Sequence, residues 1–214
     1  MCLYCKELYG ESSPLLLVCL YDDYFCTFGH SFVKCLKQRR GSVYEIELQR
    51  STVPVRCFGE GGLSLDRIWK KPGKYLSQLR AAQPDVLVID IGTNDLCSGR
   101  LSPKQVHASL CKFIEEFPRW DIDPEAIVFL PVLPRTGSLR EGQVSLAEFN
   151  DRAENFNRLL ECSSFLEDKW WVWQHRGLRN PRYILDGVHL NQYGMDQYER
   201  TLRQVVKYFE CRIW

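Results

Sequence analysis

Three short segments hold the residue types that acyl transfer requires: Gly29-His30-Ser31, Gly92-Thr93-Asn94-Asp95 and Asp186-Gly187-Val188-His189. A serine hydroxyl becomes a nucleophile when an imidazole accepts its proton, and a carboxylate three residues before that histidine can fold back to orient the ring. An asparagine amide can donate to the oxyanion that develops. Taken singly, each segment has a plainer explanation. Ser31 suits a helix N-cap, Gly, Asn and Asp populate turns for conformational reasons, and one loop histidine is ordinarily a surface or core residue.

The elements that must position these residues can be traced around them. Residues 24–28 form a short apolar, β-prone run that stops at Gly29, and residues 31–37 take up helical spacing. Ser31 therefore falls where a strand turns into a helix, with its backbone N–H pointing out of the helix N-terminus. Residues 84–91 are almost continuously hydrophobic, the pattern of a parallel strand buried on both faces. Asn94 follows at the carboxyl end of that strand, where ligands gather in open α/β sheets. A final helix is predicted through Tyr198, Leu202, Val205, Val206 and Phe209, capped by Asn191. Further strands are predicted over 53–58, 126–132 and 170–173, and helices over 65–79, 102–117 and 145–165, with Ser102-Pro103 as a cap and first-turn pair. Strands alternating with helices imply right-handed crossovers and a parallel sheet covered on both faces.

A glycine-rich block, Gly59-Glu60-Gly61-Gly62, follows the second of these strands. With Gly29-x-Ser31, Gly92-x-Asn94-Asp95 and Asp186-x-x-His189 it stands in the order of the four blocks of the SGNH (GDSL-type) hydrolase family, which the chain resembles over residues 24–209. The Gly-His-Ser-Phe-Val of residues 29–33 and the Leu-Asp-Gly-Val-His-Leu-Asn of residues 185–191 are similar to one branch. That branch occurs as esterase domains in LINE-type retroelement proteins of animals and in related host genes. The resemblance implies a three-layer α/β/α flavodoxin-like fold with a five-stranded parallel sheet. It also implies a serine esterase acting on a small acyl-ester or lipid-like substrate, without cofactor or metal. In that reading Ser31 is the nucleophile, His189 the general base and Asp186 its orienter, and the oxyanion hole is made by the Ser31 N–H, the Gly62 N–H and the Asn94 side chain. The family block ordinarily has Asp where this chain has His30. The His30 side chain is expected to turn away from Ser31 Oγ toward backbone groups of neighbouring loops, and His30→Asp to retain or raise activity. Two other classes stay open at this point: a catalytically silent binding module of the same fold, and an accessory domain of a retroelement-derived protein.

With 214 residues and 45% hydrophobic content the chain suffices for one well-cored domain. Residues 23–214 are assigned to the hydrolase-type domain and residues 1–22 to an N-terminal arm outside it. A net charge of +1 gives no drive toward nucleic acid or anionic membrane, so nucleic acid is not an expected partner. Lys34, Lys37, Arg39 and Arg40 are expected as solvated cations at a helix carboxyl end. Cys19, Cys26, Cys35, Cys57, Cys97, Cys111 and Cys162 lie in or beside apolar stretches, which suits a reducing, cytoplasmic compartment. Cys2 and Cys5 lack a second pair at zinc-finger spacing, and residues 15–20 are too short to span a bilayer and follow no basic segment. Pro131, Pro134, Gly137 and Gly142 predict a loop over 131–148 at the catalytic edge, in which Arg135 and Arg140 could meet a phosphate or carboxylate or simply be solvated. Trp170, Trp171 and Trp173 are expected to be core or cover.

Overall fold

The computed structural model describes residues 25–213 apart from Arg50, Ser138, Arg140, residues 165–167 and Arg179. The arm at 1–22, Cys2, Cys5, Cys19, the apolar run at 15–20 and Arg140 lie outside the described residues. Six strands form one sheet: β1 (Phe25–Gly29), β2 (Val43–Glu47), β3 (Thr52–Gly59), β4 (Val86–Asp90), β5 (Ala126–Phe129) and β6 (Trp170–Val172), in the order β2-β3-β1-β4-β5-β6. Five of them are parallel, and β2 alone runs antiparallel, hairpinned onto β3. Leaving β2 aside, the order is the flavodoxin-like 2-1-3-4-5, whose switch point lies between β1 and β4. The expected five parallel strands are present, and the sheet has a sixth. In β2 only Ile46 is buried, so the segment lacks the apolar signal of an interior strand.

Seven helices complete the described fold: α1 (Ser31–Arg40), α2 (Leu65–Lys70), α3 (Pro72–Ala82), α4 (Thr93–Ser98), α5 (Pro103–Glu115), α6 (Leu146–Ser164) and α7 (Gln192–Ile213). The single helix expected over 65–79 is two, because Pro72 has no N–H to continue α2 and instead opens α3. Ser64 caps α2 by accepting the Arg67 N–H at 3.3 Å, Ser102 and Gln105 form a capping box on α5, and Asn191 Oδ1 accepts the Gly194 N–H at 2.9 Å at the start of α7.

The alternation of strand residues divides the core into two layers. Leu87 and Ile89 of β4, with Phe28 and Phe129, pack under α2, α3, α5 and α6. Val86 and Val88, with Phe25 and Val128, pack under α1 and α7 through Leu36, Leu202, Val205 and Phe209. Each such side chain, fully buried, contributes about 1.5–3 kcal/mol. On the second face α1 and α7 are also joined by charge: Arg39 pairs with Asp196 and with Glu199 at 3.2 Å, and Arg40 with Glu199 at 2.7 Å. The basic cluster expected to be solvated is thus partly engaged, at the modest value of exposed ion pairs. Trp170 and Trp171 are half-buried cover, edge-on to Phe129 and to Tyr208 and Phe209 respectively. Cys26, Cys57 and Cys97 are buried free thiols, whereas Cys162 is exposed despite its apolar neighbours. Burial pushes the Cys26 thiol up to about 12 and that of Cys57 to about 11, which makes both poor nucleophiles. No helix among the described residues is long and apolar enough to cross a membrane.

Candidate active site

β1 ends at Gly29 and α1 begins at Ser31, so His30 is the whole turn between them. So tight a turn needs glycine at its start and on the strand that α1 crosses. A Cβ on Gly29 would lie 2.5 Å from the Asp90 carbonyl oxygen, and one on Gly59 would lie 2.1 Å from the Lys34 nitrogen. Ser31 is the first helical residue rather than the cap, and α1 has no side-chain cap hydrogen bond. Its N–H, a donor of the helix N-terminus, makes no hydrogen bond among the described residues.

The Ser31 hydroxyl is not left to solvent. Ser31 Oγ lies 3.1 Å from His30 Nδ1, so the expectation that His30 turns away is overturned. The cause is on the neighbouring strand. Sheet alternation places Asp90 on the same face as Val86 and Val88, which puts a carboxylate inside the α1/α7 core at 3% exposure. An unpaired charge there would cost several kcal/mol. His30, itself only 2% exposed, turns inward and sets Nε2 3.0 Å from Asp90 Oδ1, while the Tyr198 hydroxyl of α7 donates to Asp90 Oδ2 at 2.8 Å. Thr93 Oγ1 lies 3.2 Å from the same His30 nitrogen. Burial pushes the Asp90 carboxyl upward, but His30, His175 and the Tyr198 hydroxyl outweigh it and hold Asp90 below the ordinary carboxylate value.

At the end of β4, Gly92 adopts φ +112°, and a Cβ there would come 2.9 Å from the Phe156 ring. Next to it, Asn94 Nδ2 donates to the Leu63 carbonyl at 2.8 Å, and both Asp95 oxygens accept the Leu65 N–H, at 2.9 and 3.1 Å. These bonds fasten the loop after β3 to the end of β4 and hold Leu63, the residue after Gly62, against Asn94. Gly62 has φ +69°, and its N–H makes no hydrogen bond among the described residues. Burial raises the Asp95 carboxyl to about 6, against the opposing pull of the Leu65 N–H.

The third segment is built around Asp186. Its Oδ2 lies 2.7 Å from His189 Nδ1, while Oδ1 accepts the N–H groups of Val188 at 2.9 Å and His189 at 2.7 Å. Burial opposes ionisation, but the His189 ring and these backbone donors together outweigh it and lower the Asp186 carboxyl to about 2. From the loop after β5, the Thr136 and Gly137 N–H groups donate to the Gly187 carbonyl at 3.1 and 3.3 Å. A Cβ on Gly187 would fall 2.1 Å from Gly137 backbone atoms, so the two loops meet backbone to backbone. Asp186 and His189 are half-exposed, and no hydrogen bond among the described residues joins His189 to Ser31. Val188 and Leu190, which flank His189, line one small cavity with Phe32 beside Ser31 and Thr93 beside Asn94. Arg135 lines it too, buried with its guanidinium 4.6 Å over the Phe149 ring, so it is not a solvated loop arginine.

Ser31, Gly62, Asn94, Asp186 and His189 thus all lie in segments at the carboxyl edge of the parallel strands, the first and third of them flanking the switch point. The residues that sequence reasoning missed are Asp90 and Tyr198. The available signal was an acid closing an otherwise apolar strand, which requires a buried partner. Among the described residues no group of three or more His, Cys, Asp or Glu could hold a metal ion.

No protein-family model and no curated protein matches the chain. Solved structures do. A Bacteroides fragilis protein with a provisional acylhydrolase designation aligns over 87% of this chain and 88% of its own, at 16% identity and TM-score 0.61. The acetylxylan esterase Axe2 of Geobacillus stearothermophilus aligns over 84% and 92%, at 13% identity and TM-score 0.59. A member of the lipolytic G-D-S-L family from Veillonella parvula aligns over 86% and 97%, at 13% identity and TM-score 0.58. At such identities the likeness is one of fold, and it extends over nearly the whole length of each chain.

Proposed function

We propose that this chain is an SGNH-type serine hydrolase that cleaves small carboxylic esters. The observation that carries the reading is the shared cavity, where the neighbours of Ser31, Asn94 and His189 meet at the carboxyl edge of the sheet. Ser31 Oγ attacks the acyl carbon. The oxyanion is received by the Ser31 N–H, the Gly62 N–H and the free hydrogen of the Asn94 amide, whose other role is to hold Leu63. The positive end of α1 adds to that stabilisation. His189, oriented through Nδ1 by Asp186, is the exposed acid–base of the cycle, serving the leaving alcohol and the water that later releases the acid. The solved structures of this fold named as an acetylxylan esterase and as a lipolytic G-D-S-L family member support the reaction class. The acetylxylan esterase of this fold supports a short acyl group.

The test is hydrolysis of p-nitrophenyl esters of graded acyl length by the parent chain and by Ser31→Ala. Turnover is expected to favour acetate and butyrate over long chains and to fall by several orders of magnitude in the variant. Equal activity in Ser31→Ala and the parent would refute the assignment.

A further inference from the structure

Among the described residues the serine of this site makes a hydrogen-bond contact with one imidazole, and it is not the exposed one. We propose that His30 is the group that takes the Ser31 proton, so that the chain carries a buried relay, Ser31–His30–Asp90, completed by Tyr198, on the protein side of the nucleophile. This inference rests on Ser31 being the nucleophile and assigns the first proton transfer.

The tautomer follows from the partners. Asp90, held ionised, can only accept, so His30 Nε2 carries the proton that bridges the 3.0 Å to Asp90 Oδ1. In the neutral ring Nδ1 is then a bare acceptor, 3.1 Å from Ser31 Oγ, and the serine hydroxyl donates to it. The Tyr198 hydroxyl fixes the other carboxylate oxygen, and the Phe32 ring, 4.8 Å from the imidazole, closes the far side. This is the order of contacts found in a serine–histidine–carboxylate triad, with the two ring nitrogens exchanged.

On attack, the Oγ–acyl carbon bond forms, the carbonyl becomes the oxyanion, and the Ser31 proton passes to His30 Nδ1, giving an imidazolium paired with Asp90. The intermediate then collapses by breaking the bond to the leaving oxygen. A nitrophenolate departs as the anion, whereas an alkoxide takes a proton from His189 in its imidazolium form. Water next attacks the acyl-serine and gives a proton to His189. As the Oγ–carbon bond breaks, His30 returns its proton to Ser31. With an alkoxide leaving group each imidazole ends the cycle as it began; with nitrophenolate, His189 enters the second half neutral and passes the proton it takes from water to solvent.

Because nitrophenolate needs no acid, pre-steady-state hydrolysis of p-nitrophenyl acetate separates the two histidines. His189→Ala is expected to keep a burst of about one nitrophenolate per chain, followed by slow turnover. His30→Gln, which can still donate to Asp90 and accept from Ser31 but cannot take a proton, is expected to slow the burst by about 10²–10⁴-fold. A burst unchanged in His30→Gln and abolished in His189→Ala overturns the inference and leaves the esterase reading standing. Activity surviving in Ser31→Ala overturns both. Nitrogen-15 NMR of the parent chain, independent of any variant's folding, is expected to show His30 as the Nε2–H tautomer. A proton on Nδ1 at rest, donated to Ser31, also overturns the inference.

Discussion

At the scale of single residues, the position that departs from the family pattern is the one most tightly built into this molecule. Placing Asp at position 30 would set two carboxylates against each other in the α1/α7 core, where the imidazole now lies 3.0 Å from Asp90 Oδ1. His30→Asp should therefore lower stability by about 3–5 kcal/mol, the usual cost of leaving a buried charge without its partner, rather than retain or raise activity. Urea unfolding measures this, and adding Asp90→Asn should restore part of the loss. Such an outcome was not legible in the sequence: Gly29-His30-Ser31 and Asp90 lie in separate segments, and only the pairing of β1 with β4 joins them. The Ser31, Asn94 and Asp186–His189 segments were legible because each carries its chemistry within a few consecutive residues. Asp95 yields a pH prediction whose sign is opposite to that of a paired carboxylate. Its folded value, about 6, lies above the ordinary 3.8, so the folded state holds the proton more tightly than the unfolded one. The stability it contributes is full below about pH 4 and is lost as pH rises through 6. Thermal melts of the parent and Asp95→Asn between pH 4 and 7 should show the parent losing ground to the variant across that interval.

Among the elements, loops are placed by backbone contacts as much as by side chains. The Gly137–Gly187 contact leaves no room for a methyl group on either side, and Gly187 also has φ +80°. Gly187→Ala should displace the Asp186–His189 loop and lower esterase turnover by at least about 10-fold, since small misplacements of catalytic groups are costly. Because the loop is half-exposed, the melting temperature should change far less than for His30→Asp; kinetics beside calorimetry decide this. The elements themselves were legible where pattern and burial agree, as in β4 and α7, whose apolar periodicities match the faces they bury. They were obscure where burial is one-sided or the chain is interrupted. β2 alternates charged and apolar residues at a sheet edge, and α2 and α3 preserve one apolar rhythm across Pro72, so periodicity merged what the missing N–H divides.

For the whole molecule, the sheet order could not be found in any one segment, since it depends on crossovers that return β4 to the far side of β1. The site inherits its plan from that order. Through Tyr198, a helix on one face reaches the nucleophile across the core. Tyr198→Phe removes the hydroxyl from Asp90 Oδ2 and should cost about 1–3 kcal/mol, the penalty for a buried acceptor left unsatisfied. It should also slow the nitrophenolate burst while leaving the fold intact, as circular dichroism and stopped-flow measurements would record. That same hydroxyl reaches Asp90 across 108 residues of chain. During synthesis on the ribosome the strand and helix that bear Ser31 emerge early, yet the carboxylate behind His30 waits for α7 before its second oxygen is bound. A nascent chain halted before α7 would carry the serine while one oxygen of Asp90 still lacked its Tyr198 donor.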